Sequence, residues 1–212
     1  MAAEPVTPRP AATVILLRRG GKHSDRGLEV LMLQRGADAR FMPGVWVFAG
    51  GVVEEGDHEG VAASADPGID PDELAHRVCG ARELAEEAGV SVEATALMPW
   101  SRWITPDAVP VRFDTRFYVA AAPPHCNPEP DGVEMDAARW ISPEVALSEQ
   151  ADGALELSFP TIKHLEELRP YAGADEVLAA AEGREVQPIT PRVVGTEDSF
   201  SVLLPGDPGF DD

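Results

Sequence analysis

Apolar and polar residues alternate along several segments of this chain, and such a two-residue period is typical of strands with one buried face. The alternation is clearest over residues 111–121. Shorter apolar segments bounded by Gly, Pro, Asp or other polar residues also favour strands. These segments are residues 12–18, 28–34, 45–49, 92–98 and 137–141. The chain is therefore predicted to contain a substantial β-sheet.

One segment in the middle of the chain has a helical period instead. Asp70 suits the N-cap, Pro71 the first helical position and Gly89 the position after the last turn. Glu73 stands where the acid of a capping box belongs. The apolar residues between these limits recur at helical spacing and predict one narrow buried stripe, with His76 on the exposed side. The members of the stripe are Leu74, Val78, Ala81, Ala85 and Ala88.

Helical patterns return in the last third of the chain. Residues 143–147 are predicted to begin a helix with Ser142 as its N-cap, and residues 161–168 and 174–181 to form two more. Strands interrupted by one central helix and followed by terminal helices are typical of the α/β fold class.

The composition is that of an ordinary globular protein, with 44% hydrophobic residues in a chain of 212. We expect a single domain over residues 11–205, with a disordered arm at residues 1–10 and an acidic tail at residues 206–212. No apolar run is long enough to span a bilayer, so no membrane partner is expected.

Charge and cysteine content narrow the class of protein further. The formal net charge of −20 argues against binding to nucleic acid. The two cysteines, Cys79 and Cys126, form no CxxC pattern, which fits a reducing compartment, and Cys79 is expected to have a packing role. The first ten residues lack a secretory signal, and we therefore predict a cytoplasmic location.

The central helix carries three acids within one turn. Glu83, Glu86 and Glu87 stand at positions i, i+3 and i+4, which share a helix face. Their carboxylates repel one another unless a positive group lies between them. One interpretation is a site for a hard divalent cation, Mg²⁺ or Mn²⁺, which prefers oxygen ligands. The other is an ordinary solvated acidic face, and the helix alone does not decide between them.

The surrounding sequence resembles the Nudix box, G-x5-E-x7-R-E-U-x-E-E-x-G-U, in which U is a bulky aliphatic residue. The segment RELAEEAGV, residues 82–90, matches the second half at every fixed position. The first half begins at Gly51 and reaches Asp57, where the family usually has Glu. Residues 58–81 then separate it from Arg82, a spacing of 24 residues where the family has seven, so the box contains an insertion of 17 residues. The insertion, near residues 58–74, is rich in Ala, Asp, Gly and Pro and is predicted to be a surface loop.

The resemblance implies an α/β/α sandwich around a mixed β-sheet and a metal-dependent hydrolase of pyrophosphate bonds. It implies that Mg²⁺ or Mn²⁺ is bound by Glu83, Glu86 and Glu87 and by the backbone carbonyl of Gly51. Arg82 would orient one of these carboxylates, or serve only as a structural ion pair. Water would be the nucleophile, and the partner a small nucleotide substrate. Nudix enzymes often dimerise, so the resemblance also allows a homodimer.

The residue that accepts the proton of the water is the part of this site that the sequence specifies least. Glu134 lies six residues before Trp140, in a loop that leads into a predicted strand. Several Nudix enzymes use a glutamate in a comparable loop, so Glu134 is one candidate and a box glutamate is another. Asp131 and Asp136 are nearby alternatives, and a solvated loop acid is an equally simple interpretation of Glu134.

The stretch before the box points to a substrate class. Residues 31–51 resemble the motif L-L-T-x-R-[SA]-x3-R-x3-G-x3-F-P-G-G of coenzyme A diphosphatases, with Arg35 and Arg40 at the motif's spacing. These arginines are expected to reach the phosphates of the coenzyme, or else to be surface charges. The sequence departs from the motif at Met32, Leu33, Gly36 and Ala49.

Two tryptophans offer a candidate base-binding surface. Trp100 and Trp103 follow a predicted strand, and their rings are expected either to stack on an adenine ring or to pack in the core.

The hypothesis that these residues favour is hydrolysis of coenzyme A or acyl-CoA to 3′,5′-ADP and a 4′-phosphopantetheine derivative. The alternatives are a Nudix diphosphatase acting on ADP-ribose or NADH, and a non-catalytic Nudix-fold nucleotide sensor. Sensors typically lose box glutamates, and this chain retains all three.

Overall fold

The computed structural model describes residues 6–20, 27–39, 42–63, 68–196 and 199–210. The strands are β1 (Arg9–Arg19), β2 (Leu28–Arg35), β3 (Trp46–Val47), β4 (Ala49–Val52), β5 (Met98–Ile104), β6 (Phe113–Ala121), β7 (Met135–Ile141), β8 (Pro188–Ile189), β9 (Arg192–Thr196) and β10 (Ser199–Leu203). The helices are α1 (Glu55–Ala63), α2 (Pro71–Ala88), α3 (Pro143–Ala151), α4 (Phe159–Leu168) and α5 (Ala174–Ala181).

The main sheet is mixed, and the predicted α/β fold class is confirmed. Its strands follow the order β3-β2-β1-β6-β5-β8, with β4 also paired to β1 and β7 also paired to β2. The pairs β1–β6 and β5–β8 are parallel, and the other pairs in this sheet are antiparallel. Pairing with β1 places Gly51 opposite Ala12 and Gly50 opposite Thr13.

Helices cover both faces of this sheet. Because side chains alternate along a strand, Val14 and Leu16 of β1 enter one buried cluster while Ile15 and Leu17 enter another. The first cluster is completed by residues of α2, including Cys79 and Leu84, so the packing role predicted for Cys79 is confirmed. The second is completed by helices α3, α4 and α5. The predicted α/β/α sandwich is therefore present.

The termini of α2 agree with the sequence prediction. The side chain of Asp70 accepts hydrogen bonds from the amides of Asp72 and Glu73, at 3.0 and 3.3 Å. Gly89 follows the last turn with φ of +66°, a left-handed conformation that glycine adopts without steric cost.

The buried face of α2 differs from the predicted stripe. Ala85 is exposed, whereas His76 and Glu87 are only 4% exposed. The buried face follows other positions than the predicted stripe because Gly80 lets the helix approach β1 closely. A Cβ at Gly80 would lie 2.9 Å from Cγ2 of Val14. The prediction that His76 lies on the surface is wrong, and its Nδ1 lies 2.7 Å from the carbonyl oxygen of Asp72.

Three predicted boundaries also need correction. The strand predicted at residues 92–98 is wrong over most of its length, because Ala94–Ala96 form a short 3₁₀ helix and β5 begins only at Met98. The loop predicted near residues 58–74 is wrong where α1, Glu55–Ala63, is helical. Strand β1 begins at Arg9, within the segment expected to be an N-terminal arm. None of the helices in the described ranges is both long and apolar enough to cross a membrane.

A histidine is enclosed between α4 and the sheet. His164 is 1% exposed, with Nδ1 2.6 Å from the carbonyl oxygen of Pro160 and Nε2 2.6 Å from Oγ of Ser101. A carbonyl can only accept, so Nδ1 donates to Pro160 and the neutral ring accepts the Ser101 hydroxyl at Nε2. Burial, with a smaller contribution from the charge of Arg184, lowers the pKa of His164 to about 4 against the opposing effect of the Pro160 hydrogen bond.

This burial predicts an acid-sensitive fold. The unfolded state binds a proton at His164 below about pH 6.5, whereas the folded state resists it down to about pH 4. We therefore expect the free energy of unfolding to fall by about 3 kcal/mol across this interval from this group. Urea denaturation at several pH values should show that the free energy of unfolding falls less steeply with decreasing pH in His164→Gln than in the wild type. The exposed His125→Asn variant should keep the wild-type slope, and equal slopes in all three proteins would contradict the prediction.

Candidate active site

Arg82 is the centre of an ion-pair network on α2. Its guanidinium donates to Asp57 through Nε and Nη2, at 2.9 and 3.1 Å. Nη1 donates to Oε1 of Glu83 at 2.8 Å and to Oε2 of Glu86 at 3.0 Å, and Nη2 donates to the carbonyl oxygen of Val52 at 3.2 Å. One side chain thus joins both halves of the split box.

Asp57 is a site residue whose role the sequence left open. Its side chain is 1% exposed, and Oδ2 accepts the amide of Glu54 at 2.8 Å, which caps the first turn of α1. Burial alone would raise the pKa of Asp57, but the hydrogen bonds from Arg82 and Glu54 outweigh it and hold the pKa below its usual value. The matched box spacing was the only sequence signal for this partner.

Glu83 lies directly against the glycine turn. A Cβ on Gly51 would overlap the carboxylate of Glu83, so only glycine leaves room for this side chain. Burial raises the pKa of Glu83, and the charges of Glu86 and Glu134 raise it against the opposing effect of Arg82. Behind the turn, the thiol of Cys79 donates to the carbonyl oxygen of Gly51 at 3.6 Å.

Glu87 is the most enclosed carboxylate of the group. Its Oε2 accepts the amide of Gly50 at 2.9 Å, and the residue is 4% exposed. Burial raises the pKa of Glu87 to about 8, and the charges of Glu83 and Glu134 contribute to the rise. The Gly50 amide and Arg35 oppose it without cancelling it. This carboxyl therefore needs more positive charge than the described residues supply if it is to ionise at neutral pH.

The loop before β7 brings Glu134 to the same place. Glu134 is exposed, yet its charge acts on both Glu83 and Glu87. Together with Glu86 these residues form what we call the carboxylate cluster: Glu83, Glu86, Glu87 and Glu134. Three acids of one helical turn and a fourth from a distant loop thus share one surface beside the Gly50–Gly51 turn, with Arg35 near its buried end.

The remaining candidates for substrate binding are Arg40, Trp100 and Trp103. Arg40 lies outside the described residues. Trp100 is fully buried, with Nε1 donating to Oε2 of Glu167 at 3.1 Å, and Trp103 is 8% exposed and packs against Phe159 and His164. Rings enclosed by protein present no free face to a base, so this packing argues against the predicted adenine stacking.

The predicted metal chelate is not formed in this structure. Within the described ranges, no group of three or more His, Cys, Asp or Glu side chains is arranged to hold a metal ion. The reason is local, because Arg82 lies against Glu83 and Glu86 while Glu87 binds the Gly50 amide. The chemistry of the donors nevertheless fits a hard cation, since they are carboxylate and carbonyl oxygens around a glycine cradle.

Comparisons with known proteins agree with this geometry. The family model of the NUDIX domain matches residues 67–162. "Putative nudix hydrolase 7" of Caenorhabditis elegans is 29% identical, over 94% of this chain and 73% of that protein. The human "Acyl-coenzyme A diphosphatase NUDT19" is 24% identical, over 85% of this chain and 72% of that protein.

A solved structure extends the similarity to three dimensions. The crystal structure of a NUDIX hydrolase from Alicyclobacillus acidocaldarius superposes with a TM-score of 0.72 at 27% identity, covering 82% of this chain and 96% of that one. Box residues, fold and relatives therefore agree: this chain contains a NUDIX domain at residues 67–162, and its similarity to Nudix hydrolases supports an enzyme of the diphosphatase class.

Proposed function

We propose that this enzyme hydrolyses the pyrophosphate bond of coenzyme A or acyl-CoA in the presence of Mg²⁺ or Mn²⁺. The products are 3′,5′-ADP and 4′-phosphopantetheine or its acylated form. The observation that carries the proposal is the carboxylate cluster beside the Gly50–Gly51 turn, in which Glu83 and Glu87 have raised pKa values. Arg82 compensates part of this negative charge at Glu83 and Glu86, and a divalent cation would compensate the rest.

The cation would be held by Glu83, Glu86 and Glu87 together with the carbonyl oxygen of Gly51. When bound, a divalent cation neutralises charge on the pyrophosphate oxygens and lowers the pKa of water.

The protein groups divide the remaining work. Glu134 accepts the proton of the attacking water, because its carboxylate is exposed and receives no hydrogen bond within the described ranges, whereas Glu87 is buried against Gly50. Arg82 fixes Glu83 and Glu86 relative to Asp57 through charge-assisted hydrogen bonds. Water is the nucleophile.

The choice of substrate is supported by the segment before the box. Its pattern resembles that of coenzyme A diphosphatases, and human NUDT19, named an acyl-coenzyme A diphosphatase, is similar over 85% of the chain. Arg35 lies close enough to act on Glu87. In this proposal Arg35 and Arg40 bind phosphates of the substrate.

Product identification tests this function directly. Purified protein is incubated with coenzyme A and Mg²⁺ or Mn²⁺, and the products are identified by chromatography and mass spectrometry. We expect 3′,5′-ADP, no product after chelation of the metal, and slower cleavage of ADP-ribose and NADH. Faster cleavage of ADP-ribose would overturn the substrate and keep the class, whereas binding without any cleavage would indicate a nucleotide sensor.

The two glycines of the turn should respond differently to alanine. In Gly51→Ala the new Cβ meets the flexible end of Glu83, so we expect a folded protein whose kcat falls by about a hundredfold. In Gly50→Ala it lies 2.5 Å from the carbonyl oxygen of Ala12 and 2.8 Å from Cα of Thr13, which are backbone atoms that cannot move aside. We expect a loss of about 1–3 kcal/mol of stability.

Thermal unfolding and steady-state kinetics on both variants distinguish these outcomes. Gly56→Ala is the control, because its new Cβ would meet open space and the backbone conformation there is an ordinary one. Gly153→Ala would not serve, because φ at Gly153 is positive. A fully active Gly51→Ala enzyme would show that Glu83 need not lie against the turn.

A further inference from the structure

The turn that precedes Glu134 is fixed by a single carboxylate. Oδ1 of Asp131 accepts the amides of Val133, Glu134 and Met135, at 3.2, 3.1 and 2.9 Å. Gly132, with φ of +68°, donates its amide to the carbonyl oxygen of Met135 at 3.0 Å. An aspartate that binds three successive amides determines the course of the backbone through Glu134.

The same turn is bound to the loop that leaves β2. The amide of Gly36 donates to the carbonyl oxygen of Glu134 at 2.8 Å. The next amide, that of Ala37, donates to Oδ2 of Asp136 at 3.1 Å. Gly36 directly follows Arg35, so the arginine near Glu87 and the turn that carries Glu134 are parts of one hydrogen-bonded unit.

The side chain of Glu134 depends on these backbone contacts. Its carboxylate is exposed and accepts no hydrogen bond from the described residues, yet it acts electrostatically on Glu83 and Glu87. An exposed side chain to which no described residue donates a hydrogen bond is placed through the backbone that carries it. The amides bound by Asp131 and Asp136 therefore decide where Glu134 lies.

We propose that Asp131 and Asp136 are positioning residues that hold Glu134 over the carboxylate cluster and tie it to the Arg35 loop. The inference rests on the proposed function, in which Glu134 accepts the proton of water. It also assigns different roles to the three acids of this region. Asp131 and Asp136 bind backbone amides, whereas the carboxylate of Glu134 acts in the reaction of the substrate. Substrate phosphates bound at Arg35 and the placement of Glu134 are then coupled through Gly36 and Ala37.

Kinetics of matched variants test this role. We expect Asp131→Ala to lower kcat by about tenfold with little change in KM, since the base is displaced while the substrate site remains. Asp131→Asn should recover most of kcat, because its amide oxygen still accepts backbone hydrogen bonds. The control is Asp207→Ala, which removes an equivalent cap on the amide of Leu204, at 2.8 Å in the C-terminal segment.

A double-mutant cycle shows whether the effect passes through Glu134. In a Glu134→Gln background, Asp131→Ala should lower kcat no further, whereas a merely structural effect would repeat the same factor. Full activity of Asp131→Ala, or an equal loss in both backgrounds, would overturn the inference. So would full activity of Glu134→Gln, because Glu134 would then take no part in the reaction.

Hydrogen exchange gives a result that does not depend on activity. The amides of Gly36, Glu134 and Met135 should exchange at least about tenfold faster in Asp131→Ala than in the wild type, with other regions unchanged. Unchanged exchange would show that Asp131 does not hold the turn. If the wild type hydrolysed none of the substrates, the proposed function would fail while faster exchange would still establish the hydrogen-bonded unit.

Discussion

Replacing Glu86 with Gln is expected to lower kcat by about a thousandfold and to leave the fold intact. The side chain of Glu86 is 61% exposed, so loss of its charge does not disturb the core. An amide has almost the same shape as the carboxylate but binds a hard cation poorly. The expected loss corresponds to about 4 kcal/mol of transition-state stabilisation.

The measurement pairs steady-state kinetics with titration of Mn²⁺ into the protein. Glu86→Gln should bind Mn²⁺ more weakly than the wild type, while the exposed Glu93→Gln variant should match the wild type in both assays. An enzyme that kept its activity and its Mn²⁺ affinity after loss of Glu86 would support the alternative of an ordinary solvated acidic face.

Replacing Arg82 with Met is expected to destabilise the fold by about 3–5 kcal/mol as well as to inactivate the enzyme. Asp57 is 1% exposed and would lose the guanidinium that compensates its charge. A buried carboxylate without its partner retains the full cost of leaving water. Adding Asp57→Asn should restore part of the stability, because the amide carries no charge and still accepts the Glu54 amide.

Urea denaturation followed by tryptophan fluorescence measures these differences. Arg139→Met is the control, because the bidentate pair of Arg139 with Glu149, at 2.6 and 2.7 Å, is much more exposed and should contribute less than about 1 kcal/mol. If Arg82→Met cost the same stability in the wild-type background and in the Asp57→Asn background, the ion pair would not be the source of the stability.

The same pair has a defined pH dependence. The folded pKa of Asp57 lies below its unfolded value of about 3.8, so the stabilisation is fully present above that value. It is lost as the pH falls through the folded pKa, because the carboxyl then gains a proton and the pair disappears. The difference between wild type and Arg82→Met should therefore shrink in acid.

Predictions that depended on neighbouring residues agree with the structure. The caps of α2 at Asp70 and Gly89 are those expected, and α5 spans the predicted residues 174–181. Strands β2 and β6 lie where the apolar patterns placed them, within two residues at each end. Each of these features is determined by residues within one helical turn or one short strand, so the local sequence is enough to predict it.

Predictions that depended on distant contacts were less successful. The apolar spacing of α2 did not reveal that the helix would pack around Gly80 and bury His76 and Glu87. Trp100 and Trp103 could be assigned neither to a binding surface nor to the core until their partners were known. The cytoplasmic location stays a prediction, and the homodimer that the family resemblance allows stays only a possibility of that resemblance.

By itself the sequence determined the identity of the chemical groups: the three box glutamates, Arg82, the glycine turn and the acid at residue 134. Their spacing on one helix follows from covalent geometry and needs no other part of the chain. Only the tertiary structure decided that Asp57 pairs with Arg82 across an insertion and that Glu134 joins Glu83 and Glu87. The reason is that sheet register and close helix packing arise from contacts between segments far apart in sequence, which no local pattern encodes.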